Sequence, residues 1–140
     1  MESIKDLEKY FEEESYSFTE LTIGKHFASE GHVIEKNGNT YNFCYTERGT
    51  KRILKSFFNE RELVKYVYEA LSKDKWNRAH LVAWLWNADE VYNAEQELKN
   101  MNIAFERNDI PNYSQGKTAY RIFVFGKDIK KLTEFIEKYY

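Results

Sequence analysis

The sequence predicts an α+β domain, helices packed on a predominantly antiparallel sheet, and three observations carry that expectation. First, in Lys117–Phe125 the residues Tyr120, Ile122 and Val124 alternate with Ala119, Arg121, Phe123 and Phe125. Arg121 alone among them is charged, so both faces look covered, as in an interior strand. Second, the segment after Gly126 is a helix by its spacing: Ile129, Leu132, Phe135, Ile136 and Tyr139 share one side, and Lys127, Lys130, Lys131, Glu134, Glu137 and Lys138 fill the other. Third, Asn37-Gly38-Asn39 separates two strand-like stretches, and Asn-Gly supplies the positive φ angles of a tight hairpin.

Taken in order, Ser3–Glu14 reads as a short helix with Ile4, Leu7 and Phe11 on one side and Ser3 paired with Asp6 at its start. Tyr16–Ile23 is strand-like but mixed, and Gly24–Gly31 is an irregular connection. His32–Lys36 and Thr40–Thr46 form the hairpin; Tyr41, Phe43 and Tyr45 face one way and Asn42, Cys44 and Thr46 the other, which places Cys44 on the more polar face. A turn at Arg48-Gly49 leads to Lys51–Phe58.

Asn59 with Glu62 and Asn87 with Glu90 have the spacing of reciprocal capping boxes, and Phe58–Leu63 and Trp86–Val91 that of hydrophobic staples. The first of these helices buries Leu63, Val67, Ala70 and Leu71, the second Val91, Ala94, Leu98 and Met101. Ala79–Trp86 is a strand with Leu81, Ala83 and Leu85 on one face and His80, Val82, Trp84 and Trp86 on the other. Ile103–Arg107 is the next strand, and Asn108–Gly116, with Pro111, is a polar loop. The expectation is thus four helices, the second half running strand, helix, strand, strand, helix, and one domain over residues 1–140.

A chain of 140 residues can bury a proper core, and 11 Tyr and 10 Phe against a single Pro and 6 Gly argue for a folded chain. The net charge of -2 argues against an electrostatic nucleic-acid binder. One cysteine excludes an internal disulfide, and neither a long apolar run nor a signal-like start is visible, so the cytoplasm is the expected location and no membrane the expected partner.

Cys44 with His26, His32 and His80 is the grouping that could supply a thiol nucleophile and a base, yet no activating motif surrounds Cys44. The histidines lack metal-ligand spacing and the glycines are scattered, so catalytic residues, metal and cofactor are all expected to be absent. Arg121–Phe125 has a passing likeness to the aromatic strand of an RNA-recognition sheet, which fails at Ile122, where a glycine should follow the basic residue.

A partner surface is the more promising feature. Trp84, Asp89, Glu90 and Tyr92 combine rings with acids at a strand end and helix start, and Asp109 and Tyr113 lie on the polar loop. Aromatic anchors and complementary charge are what protein interfaces use. A stapled Trp86, a core Trp84 and ordinary helix-dipole acids explain the same residues without a partner.

Three stretches together resemble one class of small immunity proteins of bacterial polymorphic toxin systems. They are Leu21–Phe27, then Tyr45-Thr46-Glu47-Arg48-Gly49, then Tyr120–Asp128, which opens the last helix. The resemblance implies a cytoplasmic, non-enzymatic protein that binds a cognate toxin domain and blocks it; it carries over no catalytic or binding residue. A small enzyme or ligand-binding domain of unknown chemistry stands beside it as the alternative, and an RNA-associated module behind that.

Overall fold

The computed structural model describes residues 1–140 and is α+β. Contacts cluster into two compact units, Met1–Asn77 and Arg78–Tyr140, each with its own core. No helix is long and apolar enough to cross a membrane.

The first unit holds α1 (Ile4–Glu13), β1 (Leu21–Ile23), β2 (Gly31–Asn37), β3 (Thr40–Glu47), β4 (Thr50–Phe57) and α2 (Glu60–Ser72). Its sheet has the order β1-β2-β3-β4, antiparallel except that β1 runs parallel to β2. α1 starts at Ser3, whose hydroxyl accepts from the Asp6 N–H at 3.0 Å while the Asp6 carboxylate accepts from the Ser3 N–H. Leu7 and Phe11 then recur one turn apart and meet Leu63, Val64, Val67 and Leu71 of α2 over Ile23, Ile34 and Phe43. Each fully buried side chain of this size contributes about 1.5–3 kcal/mol.

The hairpin expected at Asn37-Gly38-Asn39 forms, but Asn37 stays in β2 opposite Thr40, and the turn is Gly38-Asn39 with the positive φ (62°) at Gly38. That is the two-residue turn with glycine in its first central position. Cys44 does lie on the face opposite the hydrophobic core, yet it is fully buried, as is its neighbour Asn42, whose Oδ1 accepts from Ser56 Oγ at 2.6 Å.

The second unit holds β5 (Ala79–Leu85), α3 (Ala88–Asn100), β6 (Phe105–Arg107), β7 (Ile110–Ser114), β8 (Lys117–Phe125) and α4 (Thr133–Tyr139). β8 lies between β5 and β6 and is antiparallel to both, so β5 and β6, joined through α3, run parallel with β8 inserted between them. The expected polar loop Asn108–Gly116 contains β7, which adds a strand to the predicted order. Gln115 and Gly116, both left-handed, close it onto β8. The final helix is split: Gly126–Lys131 is a 3₁₀ segment, Leu132 leaves helical geometry at φ -116°, and α4 follows. Three residues per turn align Ile129 with Leu132, and α4 then continues the apolar side with Phe135 and Tyr139, so both halves still pack on the core.

Asn59 and Asn87 cap α2 and α3 as expected, Oδ1 accepting from the Glu62 N–H at 3.2 Å and from the Asp89 N–H at 2.7 Å. The reciprocal carboxylate bond is made at Ser3–Asp6 and not at these two caps. The staples give way as well. Phe58 is 84% exposed and Trp86 49%, because strand alternation has already turned the preceding residues, Phe57 and Leu85, inward. Met101, expected inside, caps the end of α3 and is exposed, and Val64 takes the buried place expected for Ala70.

Candidate functional site

The feature that positions a surface in the second unit is an irregularity in β5. Leu81 pairs with Phe123 and Ala83 with Ile122, so Val82 is one residue more than β8 can match. Strict alternation would put Trp84 on the side of Val82, which is in the core. The extra residue shifts the parity: Val82 and Ala83 are both fully buried, and Trp84 comes to stand opposite Arg121 on the other face.

β7 makes a matching adjustment. Between the Ile110–Ala119 and Ser114–Lys117 pairs it spends more residues than β8 does, with Pro111 and a left-handed Asn112 (φ 55°) taking up the excess. Proline is tolerated where a ladder is interrupted. The next residue, Tyr113, meets Trp84 edge to face, with ring centroids 5.2 Å apart. Trp86 closes the group, 6.2 Å from Trp84 and 5.8 Å from Tyr113. Tyr113 is 53% exposed and Trp86 about as much, while Trp84 is partly buried beneath them, so the cluster is three rings in mutual contact with two of them facing solvent.

The Arg121 guanidinium braces it from the sheet, 5.9 Å from the Trp84 ring and 5.2 Å from that of Phe123. Its Nε donates to the Asn108 carbonyl at 3.0 Å and its Nη2 to Asn108 Oδ1 at 2.8 Å, which fixes the cation and the start of the β6–β7 turn together. On the same turn Arg107 holds Asp109, Nη2 to Oδ2 at 2.6 Å, and the bond raises the guanidinium pKa further.

Of the residues expected to face a partner, the structure brings Trp84 and Tyr113 into contact although they lie far apart in sequence. It adds Trp86, read from the sequence as a staple, and Arg121, read as a strand residue. Asp89 and Glu90 are exposed in the first turn of α3, where the positive end of the helix favours them, and they form no ion pair. Tyr92 is exposed on α3 and makes no ring contact. Asp109 is held by Arg107, whose guanidinium also lies 3.7 Å from Glu95, so its carboxylate is tied to the turn rather than free to meet a partner. Comparison with protein-family models, curated proteins and solved structures gives no match for this chain.

The thiol and histidines fall elsewhere. Val33 is the partner of Cys44 and His32 that of Tyr45, so His32 and Cys44 point to opposite faces of the first unit's sheet. His32 stacks on Phe43 at 4.8 Å and lines a cleft of about 50 Å³ with Tyr16, Glu20 and Trp76, a space on the scale of water molecules.

Proposed function

We propose that this chain is a protein-binding module that neutralises a cognate bacterial toxin domain, with the ring cluster Trp84–Trp86–Tyr113 as its anchor and Asp89 and Glu90 as its steering charge. The observation that carries the reading is the exposed cluster itself. Two half-exposed rings, Trp86 and Tyr113, gathered on a partly buried Trp84 by a strand irregularity, a hairpin and an arginine brace are not explained by core packing, and aromatic anchors of this kind dominate binding energy at protein interfaces. The motif resemblance of Leu21–Phe27, Tyr45–Gly49 and Tyr120–Asp128 supplies the class of partner. A toxin that acts on nucleic acid has a basic cleft, and Asp89 and Glu90 suit such a cleft by charge.

The test is co-expression with the C-terminal domain of the protein encoded beside this chain's gene, scored for rescue of growth, together with the affinity of the purified pair. Rescue and a stable complex support the reading. Neither one, with both proteins folded, overturns it.

A further inference from the structure

In the first unit, far in sequence from the ring cluster, α1 and the turn after β1 bring two carboxylates and an imidazole together. Glu8 and Glu12 are one helical turn apart on α1 and therefore on one face. His26 comes from the turn that follows β1. Its Nε2 lies 2.7 Å from Glu12 Oε2 and 3.8 Å from Glu8 Oε2, and the three donor atoms all lie within 4.8 Å of one another.

The turn is shaped around this meeting. Ile23 and His26 exchange both backbone hydrogen bonds, at 3.0 and 2.9 Å, which fixes the tight reversal. Gly24 sits within it at φ +57°, and a Cβ there would lie 2.4 Å from the Glu8 carboxylate. The Lys25 N–H donates to Glu8 Oε2 at 2.9 Å and orients that carboxylate. The imidazole plane is set by Phe18, stacked at 3.6 Å and 10°. The three side chains are only partly exposed, 15% for Glu8, 34% for Glu12 and 22% for His26.

We propose that Glu8, Glu12 and His26 form a binding site for a first-row divalent cation, zinc above all, with water completing its coordination. Tetrahedral zinc with N and O donors near 2.0–2.2 Å separates them by about 3.4 Å, and the two His26 distances, 2.7 and 3.8 Å, bracket that value. One imidazole beside two carboxylates selects zinc and its neighbours over magnesium and calcium, which prefer oxygen alone. The competitor is Lys25, whose Nζ is 3.3 Å from Glu12 Oε2. Its side chain is 77% exposed and can turn to solvent when the metal neutralises the carboxylates. The other reading of the same contacts is an ion-paired tie between the turn and α1, and the experiment separates the two.

The full chain, stripped with EDTA and returned to a non-chelating buffer, is titrated with zinc chloride by calorimetry, with magnesium and calcium chloride as controls. One equivalent of zinc should bind and magnesium and calcium should not. Glu8→Gln, Glu12→Gln and His26→Gln should each weaken zinc binding by at least about tenfold, whereas His32→Gln and His80→Gln should leave it unchanged. Should His26→Gln fail to fold, the His26 ring resonances of the wild-type chain carry the test, because zinc must shift them. No stoichiometric uptake by the wild type, full affinity in folded His26→Gln, or unmoved His26 resonances would each overturn the site and leave the tie.

Discussion

Trp84 and Tyr113 touch edge to face with their ring centroids 5.2 Å apart, and through that contact a strand of the sheet and the tip of the β7–β8 hairpin present one surface. Tyr113 is half exposed and its ring contacts are with Trp84 and Trp86, so Tyr113→Ala should cost a partner about 2 kcal/mol or more of affinity and leave the denaturation midpoint nearly where it was. The measurement is titration calorimetry with the proposed toxin partner beside a chemical denaturation curve. Equal affinity in the variant would remove the hairpin tip from the interface.

The charge on α3 makes a second, separable prediction. Reversing Asp89 and Glu90 to lysine should weaken binding by several kcal/mol through like-charge repulsion, and the loss should shrink as salt is raised. The same reversal at Asp109 should do less, since Arg107 already compensates that carboxylate. Affinities at two salt concentrations decide the matter. A loss that does not vary with salt would assign the effect to shape.

Stability offers a third. Asn87 Oδ1 accepts from the Asp89 N–H at 2.7 Å and, at 3.4 Å, from the Glu90 N–H, so Asn87→Ala leaves the start of α3 uncapped. The expected cost is about 0.5–2 kcal/mol in denaturant unfolding. Phe58→Ser, at a position 84% exposed, should be close to neutral in the same assay, which a stapled Phe58 would not be.

A fourth concerns pH. Burial lowers the His32 pKa below the usual 6.5, and the nearby Glu20 charge only partly offsets this. The folded state thus holds His32 neutral where the unfolded chain would take a proton. Its contribution is complete above the unfolded value and is lost as pH falls through 6.5 towards the lower folded pKa. Between about pH 7.5 and 5.5 the wild-type midpoint should fall more steeply than that of His32→Gln. Parallel curves would mean that His32 is solvated in the fold.

Cys44 gives the fifth. Glu35 on β2 and Lys51 on β4 join above β3, Nζ to carboxylate oxygens at 2.8 and 2.9 Å, on the sheet face that carries the thiol. Burial first, and then the Glu35 charge, raise the thiol pKa. Alkylation of native Cys44 should therefore be slow, and Glu35→Ala should speed it by opening the ion pair. Unchanged labelling in that variant would show that the strands alone provide the cover. Cys44→Ser should leave binding of the proposed partner unchanged.

What could be read from the sequence was what is local. The caps at Asn59 and Asn87 and the apolar side of α1 depend on residues a few positions apart, and each formed where expected. The staples do not form because the strand before each helix has already spent its inward position on Phe57 and Leu85, which spacing within the helix does not show. The ring cluster was not legible as a group: nothing in the sequence shows that Val82 goes unmatched, and only that mismatch lets Trp84 meet Tyr113. Glu8 and Glu12 are visibly one turn apart, but His26 joins them through a reversal that depends on Gly24 and on the room its missing Cβ leaves, so a search for ligand spacing along the chain passes over the set.

The unmatched Val82 makes the display of Trp84 a question of counting. A strand's faces have period two, and Leu81, paired with Phe123, already stands on the outer face, so removing the one unmatched residue between Leu81 and Trp84 would leave the indole opposite Arg121, whereas removing both would turn it inward. At its present length the strand displays Trp84 only while the irregularity holds, and regular pairing of every residue would bury the ring. Substitution at Trp84 can erase the ring; only a change of length or register in β5 can hide it.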